Sequence, residues 1–254
     1  MESKQDKRRE LEMFDVDREN EFNLLGDSFY KYVEGCLLCH APEIAEGEQR
    51  VLEAGCGTGA FGRHFIETFK ERAAWSVTGV DIAPAMIEWN RRHPARGYDS
   101  MVGDLEDAAL FAPESFDIVL CPMVLHHFPD PSRVVANLAA WLKPGGVFCI
   151  MEPNGSSPVS KFFKFGRHCV EKIMGLDYAK RFATVNETDH TMRRYVSELA
   201  ANGVEARHRE TRLVKSPPTH LIGRVRAVCD SVASVLPQPL RGNFLLVIAK
   251  KRGV

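Results

Sequence analysis

The sequence predicts an α/β fold built on a doubly wound, mainly parallel sheet. An apolar run at Arg50–Ala54 breaks into three glycines spaced two apart, which is typical of a buried strand turning into a helix. Beyond this turn, short apolar runs alternate with helix-patterned segments at the spacing of repeated βα units. With 254 residues and 44% hydrophobic content, the chain can form one well-buried domain with appendages.

The predicted elements follow one another in a regular order. Strands are expected at Arg50–Ala54, Trp75–Asp81, about Tyr98–Val102, Phe116–Cys121 and Val147–Glu152, with helices at Gly59–Arg72, Ala83–Arg92 and Ser132–Leu142. A later helix is expected at Glu187–Asn202, capped by Asn186 or Thr188 and ended by Gly203. Residues 204–214 and 242–250 predict two last strands. Ligands in such sheets bind beyond the carboxyl ends of the strands, near where the strand order reverses.

The first 44 residues are predicted to be a charged arm followed by a helical cap. Alternating charges over residues 1–12 indicate a solvated arm. Amphipathic helix spacing follows, with apolar positions at Phe22, Leu25, Phe29, Val33 and Leu37. Cys36–His40 has the CxxCH spacing of covalent haem attachment, but no export signal is visible. A zinc site would need further ligands that the nearby sequence does not offer, so helix packing is favoured and no metal is predicted.

Two inserts interrupt the main domain, residues 45–254. The first, about residues 155–185, combines aromatic and basic residues and is compatible with a pocket wall, a membrane-surface helix or a half-solvated helix. The second, residues 217–239, repeats apolar residues at spacings of four and three, which predicts a helix with one apolar stripe. Both inserts would cover the same rim of the sheet.

Overall charge and cysteine usage narrow the functional classes. The net charge of −1 provides no broad attraction for nucleic acid or an anionic membrane, and no nucleic-acid partner is expected. No apolar run approaches the ~20 residues of a membrane span, so we expect a cytoplasmic protein, with membrane contact possible but unsupported. Seven cysteines make a disulfide framework improbable; Cys56, Cys121 and Cys149 are expected to be reduced and buried.

The glycine turn suits a ligand that lies against bare backbone. Two ligand classes compete, because Gly57–Gly62 is a literal GxGxxG, the pattern of dinucleotide sites. In such a site the first glycine directly follows the strand, and here that residue is Gly55, which puts the apparent fingerprint two residues late. Asp81, at the end of the next strand, would reach a ribose diol in either class.

Motifs after the third and later strands distinguish these classes. Gly103-Asp104-Leu105, Ser115–Cys121 and Leu142–Ile150 follow in order, and with the glycine turn they resemble the class I S-adenosylmethionine-dependent methyltransferases over about residues 45–152. The similarity is to the small-molecule branch that includes the ubiquinone and menaquinone C-methyltransferases. It implies S-adenosylmethionine as cofactor and a Rossmann-like sheet of seven strands, with an antiparallel C-terminal hairpin at one edge and helical lid inserts.

The resemblance also implies roles for individual residues. Gly55 and its neighbours would contact the methionine moiety, Asp81 the ribose, and Asp104 the adenine amino group. The full predicted cofactor set is Glu53, Gly55, Cys56, Gly57, Gly59, Asp81, Ile82, Met86, Asp104, Leu105 and Cys121. Asp81 could equally cap the following helix. In the resembled family a segment at the position of the helical cap folds over the cofactor, so Phe22, Phe29 and Tyr30 could line the site or simply pack in the core.

The predicted reaction is in-line methyl transfer to a small apolar or aromatic acceptor at O, C, N or S. His126 and His127 are the candidate proton acceptors, with Glu152 and His190 weaker ones. Cys121-Pro122-Met123-Val124 stands where adenine N6-methyltransferases carry Asn/Asp-Pro-Pro-aromatic, which argues against methylation of DNA adenine. A protein or RNA methyltransferase and a non-catalytic cofactor-binding subunit are the alternatives, and the oligomeric state stays open.

Overall fold

The structure, a computed structural model of the chain, describes residues 7, 27–42, 47–158, 161, 188–212 and 242–253. Its helices are α1 (Asp27–His40), α2 (Ala60–Phe69), α3 (Pro84–Arg92), α4 (Ser132–Trp141) and α5 (Met192–Ala201). Its strands are β1 (Glu48–Ala54), β2 (Ala74–Asp81), β3 (Tyr98–Val102), β4 (Phe116–Pro122), β5 (Leu142–Pro153), β6 (Val204–Arg212) and β7 (Phe244–Lys251). A short 3₁₀ helix, Leu125–His127, follows β4.

The described strands form one sheet of seven in the order β3-β2-β1-β4-β5-β7-β6. Pairing is parallel from β3 through to β5, while β7 runs antiparallel to both of its neighbours. The predicted doubly wound sheet with an antiparallel hairpin at one edge is therefore confirmed. The strand order reverses between β1 and β4, which places the predicted ligand crevice at that point.

Hydrophobic residues cover both faces of the sheet. Along β1, Val51 belongs to one buried cluster and Leu52 and Ala54 to the other, as the alternation of a strand requires. On one face, α2 packs a phenylalanine stripe in the same cluster as the apolar residues of α1. On the other face, Trp141 of α4 and Tyr195 of α5 are buried. The stripe consists of Phe61, Phe65 and Phe69, spaced four apart along α2.

Helix α1 contains the CxxCH segment, and its apolar positions pack in the core as predicted. Phe29, Val33 and Leu37 are buried on the α2 side of the core, and the Tyr30 ring lies 5.1 Å from that of Phe61. Phe29 and Tyr30 therefore pack in the core. Phe22 and Leu25 lie outside the described residues.

Two predicted boundaries were wrong by five residues each. Helix α5 begins at Met192 rather than Glu187, and Thr191 is its N-cap, accepting a hydrogen bond from Arg194 N–H at 3.2 Å. Residue 188 lies outside the helix, and its N–H donates to the His126 carbonyl at 2.7 Å. Strand β5 starts at Leu142 rather than at the predicted Val147, because Leu142 pairs with Phe116 across a bulge. The other strand and helix ends differ from prediction by up to three residues.

Several predictions concern residues that the structure does not describe. The charged arm apart from Lys7, nearly all of the first insert and the whole of the second lie outside the described ranges. The proposed domain boundaries and the helical nature of both inserts stay predictions. Among the described helices, none is long and apolar enough to cross a membrane.

Candidate cofactor and active site

The carboxyl ends of the central strands bring the predicted cofactor residues together. Ala54 pairs with Val80, and Asp81 with Val102, so the loops after β1, β2 and β3 start at the same level of the sheet. The ladder between β1 and β4 stops at Glu53 and Leu120, while β4 continues to Pro122 against β5. A crevice therefore opens between β1 and β4.

The loop after β1 presents backbone rather than side chains. Gly55, Gly57 and Gly59 all have positive φ, of 64°, 48° and 71°. A Cβ on Gly55 would lie 2.3 Å from a methyl of Val124, so this position accepts no side chain. Gly59 begins α2 with no side-chain cap. The uncapped helix start and the bare loop suit a carboxylate or another anionic group.

Asp81 fastens this loop to the end of β2. Its Oδ2 accepts from Gly57 N–H at 2.9 Å and its Oδ1 from Ala83 N–H at 2.8 Å. Burial raises the pKa of Asp81, and hydrogen bonds from the backbone N–H groups of Ala83, Gly57 and Ile82 partly oppose that rise. A carboxylate has about four lone-pair sites, so the backbone contacts do not use its full capacity to accept from a ribose diol. The helix-start interpretation and the ligand interpretation of Asp81 are thus compatible.

Glu53 supports the loop from beneath. Its Oε1 accepts from Gly62 N–H at 2.9 Å, and its Oε2 accepts from the Tyr98 hydroxyl at 2.7 Å. A Cβ on Gly62 would lie 2.5 Å from Glu53 Oε2. The last glycine of the apparent GxGxxG is therefore explained by packing against Glu53. Burial raises the pKa of Tyr98, which keeps its hydroxyl a neutral donor.

Residues that the sequence did not single out complete this support. The Asn90 side-chain amide donates to the Gly57 carbonyl at 2.8 Å and accepts from Arg63 at 2.9 Å. The Arg63 guanidinium lies over the Tyr98 ring, 4.8 Å from its centroid. These contacts join α2, α3 and β3, which no local sequence pattern connects. Met86, predicted to pack on adenine, is buried on α3, and Ile82 is half-buried beside Asp81.

Asp104 lies just past the end of β3, and its carboxylate is paired with the ammonium group of Lys7. Its Oδ1 accepts from Glu106 N–H at 3.0 Å, and its Oδ2 is paired with Lys7, which also contacts Glu106 at 2.6 Å. Lys7 supplies an N–H donor where the resemblance implies an adenine amino group. Leu105 is buried beside Asp104, and its carbonyl accepts from Asn137 at 2.9 Å. The carboxylate acceptors and the bare backbone of the crevice therefore fit the implied cofactor.

The cysteine side chains at the site are buried. Cys56 and Cys121 are both buried and without a disulfide partner, as predicted, and so is Cys149 in β5. Burial raises the pKa of the Cys121 thiol well above its usual range, with the Glu152 carboxylate adding to the effect. Cys121 can therefore contribute its backbone to a ligand, while its side chain packs in the core.

The turn after β4 contains a buried carboxylate–histidine pair. Glu152, which is 0% exposed, accepts through Oε1 from the N–H groups of Val124 and Leu125, at 2.8 and 2.6 Å. Its Oε2 lies 2.7 Å from His126 Nδ1. Glu152 thereby fixes both the path of the 3₁₀ helix and the orientation of the imidazole.

The other candidate histidines are placed differently. The His127 ring lies 4.1 Å from that of His126, and burial, together with the charge of His126, holds the pKa of His127 well below its usual range. His190 Nε2 bonds to the Phe128 carbonyl at 2.8 Å. An imidazole nitrogen bonded to a carbonyl must be a donor, so His190 braces the segment before α5 rather than accepting a proton there.

Comparison with known proteins agrees with this geometry. Residues 52–150 match the family described as "Methyltransferase domain". The "Ubiquinone biosynthesis O-methyltransferase" of Neisseria meningitidis serogroup A is 30% identical over 192 residues, covering 72% of this chain and 73% of the relative. The protein of the same name from Xanthomonas campestris pv. campestris is 30% identical over 152 residues, and there the match covers 58% of this chain and 62% of the relative.

Solved structures share the fold. The geranyl diphosphate C-methyltransferase from Streptomyces coelicolor, in complex with S-adenosyl-L-homocysteine, has a TM-score of 0.60 at 15% identity and covers 88% of this chain and 80% of its own. A putative sarcosine dimethylglycine methyltransferase from Galdieria sulphuraria has a TM-score of 0.59 at 17% identity, with 88% and 85% covered. At these identities the likeness concerns the fold alone.

Proposed function

The chain belongs to the class I S-adenosylmethionine-dependent methyltransferases, and we propose that it methylates a hydroxyl oxygen of a small apolar or aromatic acceptor. Two relatives named for O-methylation in ubiquinone biosynthesis support the oxygen and the small-molecule class. The first of them is matched over only 62% of its length. The buried Glu152–His126 pair is the observation that carries the proposal, because a hydroxyl acceptor, unlike a neutral amine, needs a base.

The residues at the strand ends would hold the cofactor. Gly55 and Gly57 present bare backbone to the methionine part, Asp81 receives the ribose hydroxyls, and Asp104 receives the adenine amino group. When bound, S-adenosylmethionine supplies a methyl group on a sulfonium and leaves as a neutral thioether. The chain then has to align the acceptor with that methyl group and exclude water, which is catalysis by proximity and orientation.

His126 is the proposed general base. Because Glu152 Oε2 lies 2.7 Å from Nδ1, the ring proton sits on Nδ1 and the lone pair on Nε2. As the bond from the acceptor oxygen to the methyl carbon forms, the hydroxyl proton passes to His126 Nε2. The imidazolium that results is stabilised by the adjacent Glu152 carboxylate. His127, whose pKa is held low, is a weaker base and is not needed for this step.

The apolar character of the acceptor rests on the two inserts. The first insert follows β5 and the second follows β6, so both leave the sheet from its antiparallel half. The first insert includes Phe162, Phe163 and Phe165. These residues lie outside the described ranges, so their contribution is a proposal from sequence. An aromatic wall there would bury a ring-sized acceptor and exclude water from the reacting atoms.

Label transfer tests the proposed function directly. Purified chain would be incubated with methyl-labelled S-adenosylmethionine and a panel of catechols and alkyl-substituted phenols, with polar amines such as glycine and histamine as the comparison panel. We expect methyl ether products from the phenols and little from the amines. Turnover confined to the amines would refute O-methylation. Tight binding of S-adenosylhomocysteine with no transfer to either panel or to a metabolite extract would indicate a non-catalytic binder instead.

A further inference from the structure

We propose that Cys36, His208 and Glu210 form a binding site for a zinc-like divalent metal ion between helix α1 and edge strand β6. The three side chains are half-buried, and one donor atom from each lies within 4.8 Å of the other two. They belong to neither the cofactor loop nor the Glu152–His126 pair. The inference is therefore independent of the proposed methyl transfer.

A bulge in β6 brings two of the three residues onto the α1 face. Val204 and Ala206 pack into the core on the α4–α5 side of the sheet. By strict alternation His208 and Glu210 would face the same way, since they continue the same two-residue period. The pairing of β6 with β7 shifts between Ala206 and His208, however, and this shift turns the later residues to the other face. There they meet Cys36 of α1.

The distance between the histidine and carboxylate donors suits a small tetrahedral ion. His208 Nε2 lies 3.4 Å from Glu210 Oε2. Two ligands at the usual zinc distances, arranged tetrahedrally, are about 3.4 Å apart. The same His208 nitrogen is a buried atom with no hydrogen-bond partner among the described residues. A buried ring nitrogen next to a carboxylate and a thiol is the arrangement that a metal ion would satisfy.

Donor chemistry and charge point to zinc rather than to calcium or magnesium. A thiolate and an imidazole are ligands of borderline-soft metals, whereas calcium and magnesium take oxygen ligands. Thiolate and carboxylate together carry two negative charges, which balance a divalent ion when the histidine is neutral. The fourth position is left to water, because only three donors of the described chain converge.

Neighbouring aromatic residues fix the orientation of the ligands. The Tyr32 hydroxyl donates to the Glu210 carboxylate, and the His40 ring stacks on His208 with centroids 4.0 Å apart and an 11° interplanar angle. Such outer contacts commonly hold metal ligands in place. The Arg212 guanidinium lies over the Tyr32 ring, with 3.6 Å from its carbon to the centroid. A metal ion here would link helix α1 to strand β6, two elements far apart in sequence: Tyr32 and Glu210 are 178 residues apart.

Metal titration of the intact, tag-free and reduced chain tests the proposal. After removal of bound metal with a chelator, zinc would be titrated by calorimetry and cobalt by absorbance. We expect one ion per chain, a thiolate-to-cobalt charge-transfer band, and visible bands of tetrahedral intensity that zinc abolishes. Absence of stoichiometric zinc binding, or a cobalt spectrum without the thiolate band, would overturn the proposal.

Matched variants identify the ligands. Cys36→Ser, His208→Ala and Glu210→Gln should each weaken zinc binding by roughly 100-fold or more, since removing a ligand costs more than removing its outer contacts. Cys39→Ser is the control, because this exposed cysteine of the same CxxCH segment is outside the cluster. Retained affinity for S-adenosylhomocysteine shows that each variant is folded. Unchanged zinc affinity in folded Cys36→Ser or His208→Ala, or its loss in Cys39→Ser, would contradict the three-ligand site.

Discussion

Replacing Glu152 by glutamine should separate the catalytic role of the Glu152–His126 pair from its structural role. Glutamine has nearly the same shape, and its single amide oxygen can keep the two hydrogen bonds from Val124 and Leu125 N–H. The amide nitrogen then faces His126 Nδ1 as a donor. His126 must respond by moving its proton to Nε2, the atom that accepts the substrate proton in the proposed reaction.

The expected effects differ greatly in size. The three charge-assisted hydrogen bonds of Glu152 become neutral ones, but a charge is no longer buried, so the free energy of unfolding should fall by only about 1–2 kcal/mol. Loss of a correctly oriented base should lower the turnover number by about 10²–10⁴-fold. Glu152→Ala would leave two buried backbone N–H groups and His126 without their partner, which should cost at least about 3 kcal/mol of stability. Glutamine is therefore the informative substitution.

The assay measures two quantities for each variant: the turnover number on the best phenolic acceptor and the dissociation constant of S-adenosylhomocysteine. Glu34→Gln is a matched control, because Glu34 is also buried and lies 2.7 Å from a histidine Nδ1, that of His64, but on the α1–α2 face. The control should keep the wild-type turnover. If Glu152→Gln folds, binds S-adenosylhomocysteine normally and keeps turnover within a few-fold of wild type, then His126 is not the base.

Two further predictions concern backbone strain and pH. Gly59→Ala should lower the free energy of unfolding by about 2–4 kcal/mol, because alanine disfavours the positive φ and its Cβ would lie 2.5 Å from the Tyr98 hydroxyl. Gly203 also has a positive φ, 73°, but lies in open space, so Gly203→Ala should cost about 1 kcal/mol in the same urea titration. Equal costs at both positions would contradict the contribution of Tyr98. The pKa of His127 is lower in the folded chain than in the unfolded one, so below about pH 6.5 the unfolded chain binds the extra proton and stability falls, by up to about 1.4 kcal/mol per pH unit. Urea titrations of wild type and His127→Gln at several pH values should show a shallower fall in the variant, and identical slopes would refute this assignment.

Much of the sheet could be predicted because its signals are local. Buried parallel strands appear as short apolar runs, and the glycine turn after Ala54 marks the point where the chain enters α2. The start of α5 was misplaced for an equally physical reason. Asn186 and Thr188 are good capping residues, but Thr188 N–H is bonded to the His126 carbonyl, a contact between distant segments. The cap therefore falls to Thr191.

The supporting contacts of the site could not be predicted from local pattern. Tyr98 begins β3 and reads as an ordinary strand residue, yet its hydroxyl binds Glu53 beneath the glycine loop. The same limit applies to Cys36, for which the further ligands come from β6 near the end of the chain. In both cases the partners are brought together by strand order and by a bulge, neither of which leaves a signal near the residue concerned.

Cofactor affinity is the most direct test of the central claim that an adenosyl ligand is held by Asp81 against the glycine loop. Calorimetry should show S-adenosylhomocysteine binding to the wild-type chain. Asp81→Ala should weaken that binding by about 100-fold, equivalent to two charge-assisted hydrogen bonds to the ribose. Asp99→Ala, which changes an exposed aspartate on neighbouring β3, should leave affinity unchanged. Absence of binding to wild type, or equal affinity in a folded Asp81→Ala variant, would contradict the account.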